Sequence, residues 1–263
     1  IVLSHGDTFS TLLGALMGKI AKLEIGHVES GLRSFNYFHP FPEELTRVIV
    51  FRLADYYFCP GDWALNNLKN YKGIKVNTKS NTLYDSLQLA LKNLYKIKVE
   101  IPNEKYGIVT LHRFENIFNK KQFEKIIGIV EEIAKDYKLL FILHKPTENK
   151  LQKFGFYTRL KNNSNIELRP RYDYFKFIKL MKNCEFLISD GGSNQEESSY
   201  LGIPCLLLRY KTERREGLGK NVVLSRFDSK IINLFLKDFK KIKNKKIKSS
   251  PSKIIVDYVC KLK

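Results

Sequence analysis

Three carboxylates, a histidine and a pair of glycines sit where a parallel α/β protein does its chemistry. In such folds ligands gather at the carboxyl ends of the strands, and here nearly every strand-like run is followed by ionisable residues. His5-Gly6-Asp7 follow the first run; His27, Glu29 and Arg33, then Pro42-Glu43-Glu44, follow the second. In the second half, His112-Arg113 follow one run and His144 the next. Asp190-Gly191-Gly192-Ser193-Asn194-Gln195-Glu196-Glu197 follow a third, and Arg209, Glu213, Arg214 and Arg215 a fourth. Asp7, Glu29 and Glu43 with His112 form a set able to do acid–base work on a sugar. Each also has a structural reading. Asp7 would cap a helix starting at Thr8, Glu29 would pair with Arg33 or Arg47, and Glu43 would be a first-turn acid favoured by the helix dipole.

The 190–197 segment reads as a strand end, two glycines that let backbone approach a ligand, and a helix start. Free N–H groups and the dipole there favour an anion. A diphosphate fits, with Gln195, Glu196 or Glu197 one turn on to hold ribose hydroxyls; a tight turn before a capped helix is the structural alternative. The segment is neither GxxxxGK[ST] nor GxGxxG, and Gly217-Leu218-Gly219 does not complete the latter, which argues against a nicotinamide cofactor. No HxxH, HExxH or Asp cluster has metal-ligand spacing, so neither metal nor cofactor is expected. His5 and His27 read as structural, and His39, in a polar loop, is given no role.

The elements that must position these groups alternate strand and helix. Strands are expected at 1–4, 24–29, 56–59, 106–112, 138–144, 166–168, 186–189 and 203–208. Helices are expected at 8–22, 43–54, 63–71, 120–137, 174–182, 195–200, 229–243 and 252–262. Phe123, Ile126, Ile127, Val130 and Ile133 mark one face of the long helix. Gly202 suits the position just past a helix end. The alternation predicts α/β architecture with parallel sheets: two Rossmann-like domains, 1–98 and 99–263, with a cleft between them. The first carries few strands, and the chain opens at Ile1 inside a strand-like run, as a fragment missing an N-terminal piece would.

Length and composition set the outer bounds. The chain has 263 residues, with 43% hydrophobic and 28% charged, which excludes disorder for most of it. No apolar run reaches about 18 residues, so a membrane helix is excluded, and no signal peptide is visible. The net charge of +19 invites a nucleic-acid reading. The abundance of Lys, Ile, Asn, Phe and Tyr and the scarcity of Arg instead suit biased codon usage, and much of the excess sits at 237–248. No nucleic-acid partner is expected, and a polyanionic small ligand is compatible with the same charge. Cys59, Cys184, Cys205 and Cys260 form no CxxC pair, which points to a reducing cytoplasm and no structural zinc.

Ser4-His5-Gly6-Asp7-Thr8, Gly26-His27-Val28-Glu29-Ser30-Gly31-Leu32-Arg33 and Pro42-Glu43-Glu44 together resemble the bacterial non-hydrolysing UDP-N-acetylglucosamine 2-epimerases. So do Asn81-Thr82-Leu83-Tyr84-Asp85, His112-Arg113, the 190–197 segment and Thr212-Glu213-Arg214. The resemblance runs along nearly the whole chain. It implies a GT-B-like fold, usually a homodimer, and interconversion of UDP-GlcNAc and UDP-ManNAc without NAD or metal, in surface polysaccharide synthesis. It places Asp7, Glu29, Glu43 and His112 on catalytic positions. Arg113, His144, Gly191, Gly192, Ser193, Glu197 and Arg214 fall on or beside UDP-binding positions. Three departures surround the nucleotide and sugar sites: Phe114 replaces the second Arg of HRRE, Gly191 stands where DSGG has its serine, and HxNP is His144-Lys145-Pro146. They leave open a modified sugar, such as a 2,3-diacetamido uronic acid. A hydrolysing 2-epimerase, a GT-B glycosyltransferase and a non-catalytic nucleotide-sugar-binding protein are the alternative readings.

Overall fold

The computed structural model describes residues 1–37, 40–243 and 247–262; His39 and part of the lysine-rich run 237–248 lie outside the described residues. Two compact units result, Ile1–Ser86 with Ile247–Lys263, and Leu87–Lys246.

The first unit holds β1 (Val2–His5), α1 (Phe9–Ile20), β2 (Ile25–Val28), α2 (Glu43–Leu53), β3 (Tyr56–Cys59), α3 (Asp62–Asn67) and β4 (Ile74–Asn77). Helix α4 (Leu83–Asn93) carries the chain out of it. The four strands are parallel in the order β1-β2-β3-β4. Strands β2 and β3 are buried along their whole length, as a parallel sheet covered on both faces requires. Side-chain alternation sends Tyr57 and Cys59 to a core with Ala15, Ile25, Val50, Phe51 and Leu68. Tyr56 and Phe58 go to the other face with Val28 and Ile255.

The second unit holds β5 (Tyr106–Leu111), α5 (Phe114–Ile117), α6 (Lys120–Ile133), β6 (Lys138–Leu143), α7 (Lys145–Phe154), α8 (Phe156–Lys161), β7 (Ile166–Pro170) and α9 (Tyr174–Asn183). It continues with β8 (Phe186–Ser189), α10 (Gly192–Leu201), β9 (Cys205–Leu207), β10 (Val222–Leu224) and α11 (Ser229–Asp238). Its parallel sheet runs β10-β9-β8-β5-β6-β7. The chain winds outward from β5 through β6 to β7, then returns to place β8 on β5's other side. The crevice at such a reversal is where doubly wound sheets bind ligands, and the loops after β5 and β8 are those that carry His112 and Asp190. Helix α6 buries the five apolar residues expected, its start fixed by Asn119, whose side chain accepts from the Gln122 N–H.

The architecture is the two-sheet parallel α/β arrangement expected, with α10 beginning at Gly192 rather than at 195 and Gly202 closing it at a φ of +70°. The division of the chain differs from 1–98 and 99–263. The transition falls between Ser86 and Leu87, and α12 (Pro251–Val259) belongs to the first unit. The cause is packing: Ile255, with Tyr258 half-buried, covers the outer face of β2 and β3, and the Ser252 N–H donates to Asp85. Elements β4, α4, α5, α7, α8 and β10 differ from the expected set. Strands β4 and β10 are sheet edges whose residues are mostly half-buried or exposed. Helix α7 buries only Thr147 and Leu151, so no apolar stripe announces it.

Gly31 marks the tightest backbone approach near the loop after β2. Its φ is +88°, and a Cβ there would overlap the Ala64 carbonyl of α3. Gly31→Ala is expected to destabilise the protein by about 2 kcal/mol or more. Gly14→Ala, in the middle of α1 with open space around it, is expected to be neutral or to stabilise by about 0.5–1 kcal/mol. Denaturant midpoints of the two variants check the contrast.

Candidate functional site

In the first unit, the expected residues are held by a charged network centred on a residue to which no role was assigned. Glu44, fully buried on α2, accepts from Arg33 Nε at 2.6 Å and Arg47 Nη1 at 3.2 Å, and from the backbone N–H groups of Ser34 and Phe35. Arg47 reaches on to the Asp7 carboxylate. Asp7 is therefore not a cap: no side chain caps the start of α1 at Thr8. Glu29 follows β2 at a φ of +66°. Its Oε1 accepts from Asn81 Nδ2 at 2.6 Å, and its Oε2 lies over Gly6, 3.5 Å from where a Cβ would stand. Asn81 Oδ1 meanwhile accepts from the Leu83 N–H at the start of α4, so the same side chain joins that helix to Glu29. Glu43 lies half-buried in the first turn of α2. His27 is structural, as expected. Its Nε2 lies 2.8 Å from the Gly6 carbonyl oxygen and its Nδ1 2.9 Å from Ser30 Oγ. Burial pushes its pKa down to about 4, so it works as a neutral strut with Nε2 donating to Gly6.

In the second unit, Asp190 directly follows β8 and has no exposure. Its carboxylate accepts from the N–H groups of His112 and Arg113, both at 3.0 Å, and from Asn116 Nδ2 at 3.0 Å. The imidazoles of His112 and His144 stack with centroids 4.7 Å apart and planes 22° from parallel. Burial lowers the pKa of His112, against the pull of Asp190 and with the help of Arg113. Burial, then His112 and Arg171, takes His144 down to about 4. A cavity of about 440 Å³ opens beside His144, between the start of α7 and Arg169, Pro170 and Arg171 at the end of β7.

The glycines are required by what approaches them. A Cβ on Gly191 would stand 2.7 Å from Asn194 Oδ1 and 3.0 Å from His112 Cε1; one on Gly192 would stand 2.6 Å from Arg214 Nε. A serine at Gly191, where the resembled family has one, would require the Asn194 side chain and the His112 ring to shift. Ser189 Oγ accepts from the Gly191 N–H at 3.0 Å and donates to Asn194 Oδ1. Ser193 is exposed on the first turn of α10. Arg214 pairs with buried Glu196, and Arg113 and Arg209 both reach Glu213. Thr212 donates to Gln195, whose amide donates to the carbonyls of Arg214 and Glu216, fastening loop 209–216 to α10. Glu197 is buried beside Asn194 Nδ2, 3.1 Å away, and Tyr174; burial raises its pKa to about 7.

The structure holds Asp7 and Glu29 after the ends of β1 and β2 and places Glu43 in the first turn of α2. It gathers His112, Arg113, His144, Gly191, Gly192, Glu197 and Arg214 around those of the second. Glu44, Asn81, Asp190 and Asn116 emerge as holders of these groups. Glu44, Asn81 and Asp190 stand in segments already singled out, without a holding role; Asn116 stands in none of them. Among the described residues no group of His, Cys, Asp and Glu is arranged to hold a metal, and no helix is long and apolar enough to cross a membrane.

Residues 1–253 match the sequence profile of the family described as UDP-N-acetylglucosamine 2-epimerase. A protein of that name from Methanococcus maripaludis is 38% identical over 232 residues, covering 84% of this chain and 63% of the relative. One from Methanocaldococcus jannaschii is 35% identical over 247 residues, covering 88% and 66%. The chain therefore spans slightly less than two thirds of the length of these relatives. The crystal structure of the M. jannaschii UDP-GlcNAc 2-epimerase in complex with UDP-GlcNAc and UDP superposes with a TM-score of 0.86 at 31% identity, covering 98% of this chain and 75% of that one. The Neisseria meningitidis enzyme bound to UDP-GlcNAc superposes at 0.82, with 28% identity, covering 98% and 76%.

Two stability predictions follow from the buried carboxylates. Glu44→Ala removes the group on which Arg33 and Arg47 converge, and a loss of about 3–5 kcal/mol in denaturant unfolding is expected. Glu197 titrates near 7 when folded and near 4.5 otherwise. The folded state then holds the extra proton between those values, and the stabilisation, complete below about pH 4.5, is lost as pH rises through about 7. Unfolding measured from pH 5 to 8 should show this decline in the parent and not in Glu197→Gln.

Proposed function

The chain belongs to the UDP-N-acetylglucosamine 2-epimerase family, and from that premise we propose that it inverts C2 of a UDP-linked N-acetylhexosamine, taking UDP-GlcNAc to UDP-ManNAc. The observation that carries the reading is the joint presence of two differently built groups. The first unit offers the carboxylates Asp7, Glu29 and Glu43, each at a strand end or first helical turn. The second offers the anion-favouring helix start at Gly191-Gly192, with His112, Arg113 and Arg214 around it.

C2 has no adjacent carbonyl, so direct proton removal is too costly. In the proposed route the C1–O bond to UDP breaks first, and the electron pair leaves with the diphosphate. Developing positive charge at C1 acidifies the C2 proton. A carboxylate takes that proton, leaving a 2-acetamidoglucal and UDP. Re-addition of UDP at C1, with a proton delivered to the opposite face of C2, completes the inversion. Two faces require two proton-handling groups, which Glu29 and Glu43 supply, with Asp7 held by Arg47 assisting. His112 stabilises the departing diphosphate, and Arg113, His144, Gly191, Gly192, Ser193, Glu197 and Arg214 hold the nucleotide. No metal or redox cofactor enters this scheme, since UDP itself is the group lost and regained. The reading places the protein in a reducing cytoplasm, as a homodimer, serving surface polysaccharide synthesis. Three buried thiols, Cys59, Cys184 and Cys205, suit that compartment.

The protein that carries this chain, incubated with UDP-GlcNAc in deuterated water and followed by proton NMR, is expected to yield UDP-ManNAc with deuterium at C2. Free ManNAc with UDP would move it to hydrolysing chemistry, and no exchange despite UDP binding would overturn the reading. Glu43→Gln is expected to lower exchange at C2 at least about 100-fold with UDP binding retained; full turnover in that variant would remove Glu43 from the acid–base pair.

A further inference from the structure

The reading above gives His112 a task without saying which of its nitrogens performs it or what sets its protonation. We propose that Asp190 is a positioning residue whose buried carboxylate keeps a proton on His112 Nδ1 and leaves Nε2 as the nitrogen that gains and loses a proton. The inference rests on the proposed function only in taking His112 as the group that faces the diphosphate.

The orientation of the ring is fixed from three sides. His144 stacks on it at 4.7 Å. Gly191 lies against its Cε1, so close that a Cβ would stand 3.0 Å away. Asp190 Oδ1 lies 3.3 Å from Nδ1. An imidazole nitrogen facing a carboxylate at that distance either presents a lone pair to a negative charge, which is repulsive, or presents an N–H, which is attractive. The carboxylate cannot turn away. The N–H groups of His112 and Arg113 and the amide of Asn116 all donate to it, and Asn116 is itself tied to the Leu208 carbonyl. The lowest-energy arrangement is therefore Nδ1–H towards Asp190.

The charged surroundings make this arrangement consequential. Burial, Arg113 and Arg171 disfavour an imidazolium at His112; Asp190 and Glu115 favour one. Of the two favouring groups Asp190 has the larger effect, and its carboxylate is fixed in place by its donors. It both chooses the tautomer and supports the second proton, on Nε2, when a diphosphate adds its own negative charge. A carboxylate set behind a histidine commonly holds the imidazole in one tautomer in this way.

The test is made on the chain without substrate, so that failure of the epimerase reading leaves it intact. Two-bond proton–nitrogen NMR of ¹⁵N-labelled protein identifies the His112 signals by their loss in His112→Gln and follows them with pH. The parent is expected to show a neutral ring protonated at Nδ1. In Asp190→Asn the tautomer ratio should move about tenfold or more towards Nε2–H, and the titration midpoint should fall. Asn116→Ala removes a donor to the same carboxylate without touching the ring, and should keep the parental tautomer. A parental ring protonated at Nε2, an unchanged tautomer in Asp190→Asn, or the same change in Asn116→Ala would each overturn the proposal. The parental spectrum decides the matter by itself should Asp190→Asn not fold.

Discussion

A carboxylate with no access to water must be surrounded by donors, and in each unit one such group determines where the loops go. Glu44 collects two guanidiniums and two backbone amides; Asp190 collects two backbone amides and a side-chain amide. Both lie at the strand-end rim of a parallel sheet, where side chains and loop backbone from several elements converge. Leaving either charge without its donors would cost several kcal/mol, so the loops are held to the positions that satisfy it. Asp7, Arg33, His112 and Arg113 take their places as a consequence. The groups suited to act on a ligand are thus arranged by groups that no ligand need touch.

The division of labour between the two rims follows from charge type. Around the first, carboxylates predominate and arginines are occupied in holding them. Around the second, the cationic side chains Arg113 and Arg214, two histidines and a helix start gather, with Glu213 and Glu196 spacing the guanidiniums. Under the proposed function, the first rim moves protons and the second holds phosphate. The neutral histidines His27 and His144 show how burial adjusts each. The same residue type, brought to a pKa of about 4 in both places, serves as a strut in one and as a stacking surface in the other.

Much of this was legible in the sequence because strand ends carry their chemistry in contiguous segments. Apolar runs located eight of the ten strands among the described residues, and the polar residues after them are those from which the proposed acid–base and anion-binding sets are drawn. What stayed hidden has a common physical cause. Glu44 and Asp190 look, in one dimension, like any acid in a polar segment. Only three-dimensional burial distinguishes them from Glu43, which has the same composition around it. Asn81 and Asn116 are remote in sequence from the groups they hold, with 52 residues separating Asn81 from Glu29 and 74 separating Asn116 from Asp190. The return of α12 to the first unit was equally invisible, since a short amphipathic helix does not state which apolar face it will cover.

That return has a bearing on how the molecule is made. The outer face of β2 and β3 is closed by Ile255 and Tyr258, which leave the ribosome some two hundred residues after those strands do. Until then the first sheet has one side uncovered, whereas the second unit is contiguous in the chain and can complete its core from its own residues. Synthesis order and assembly order therefore run opposite to each other: the half that emerges first is the half that finishes last. During that interval Tyr56 and Phe58 lack the Ile255 and Tyr258 contacts that close their face in the finished fold.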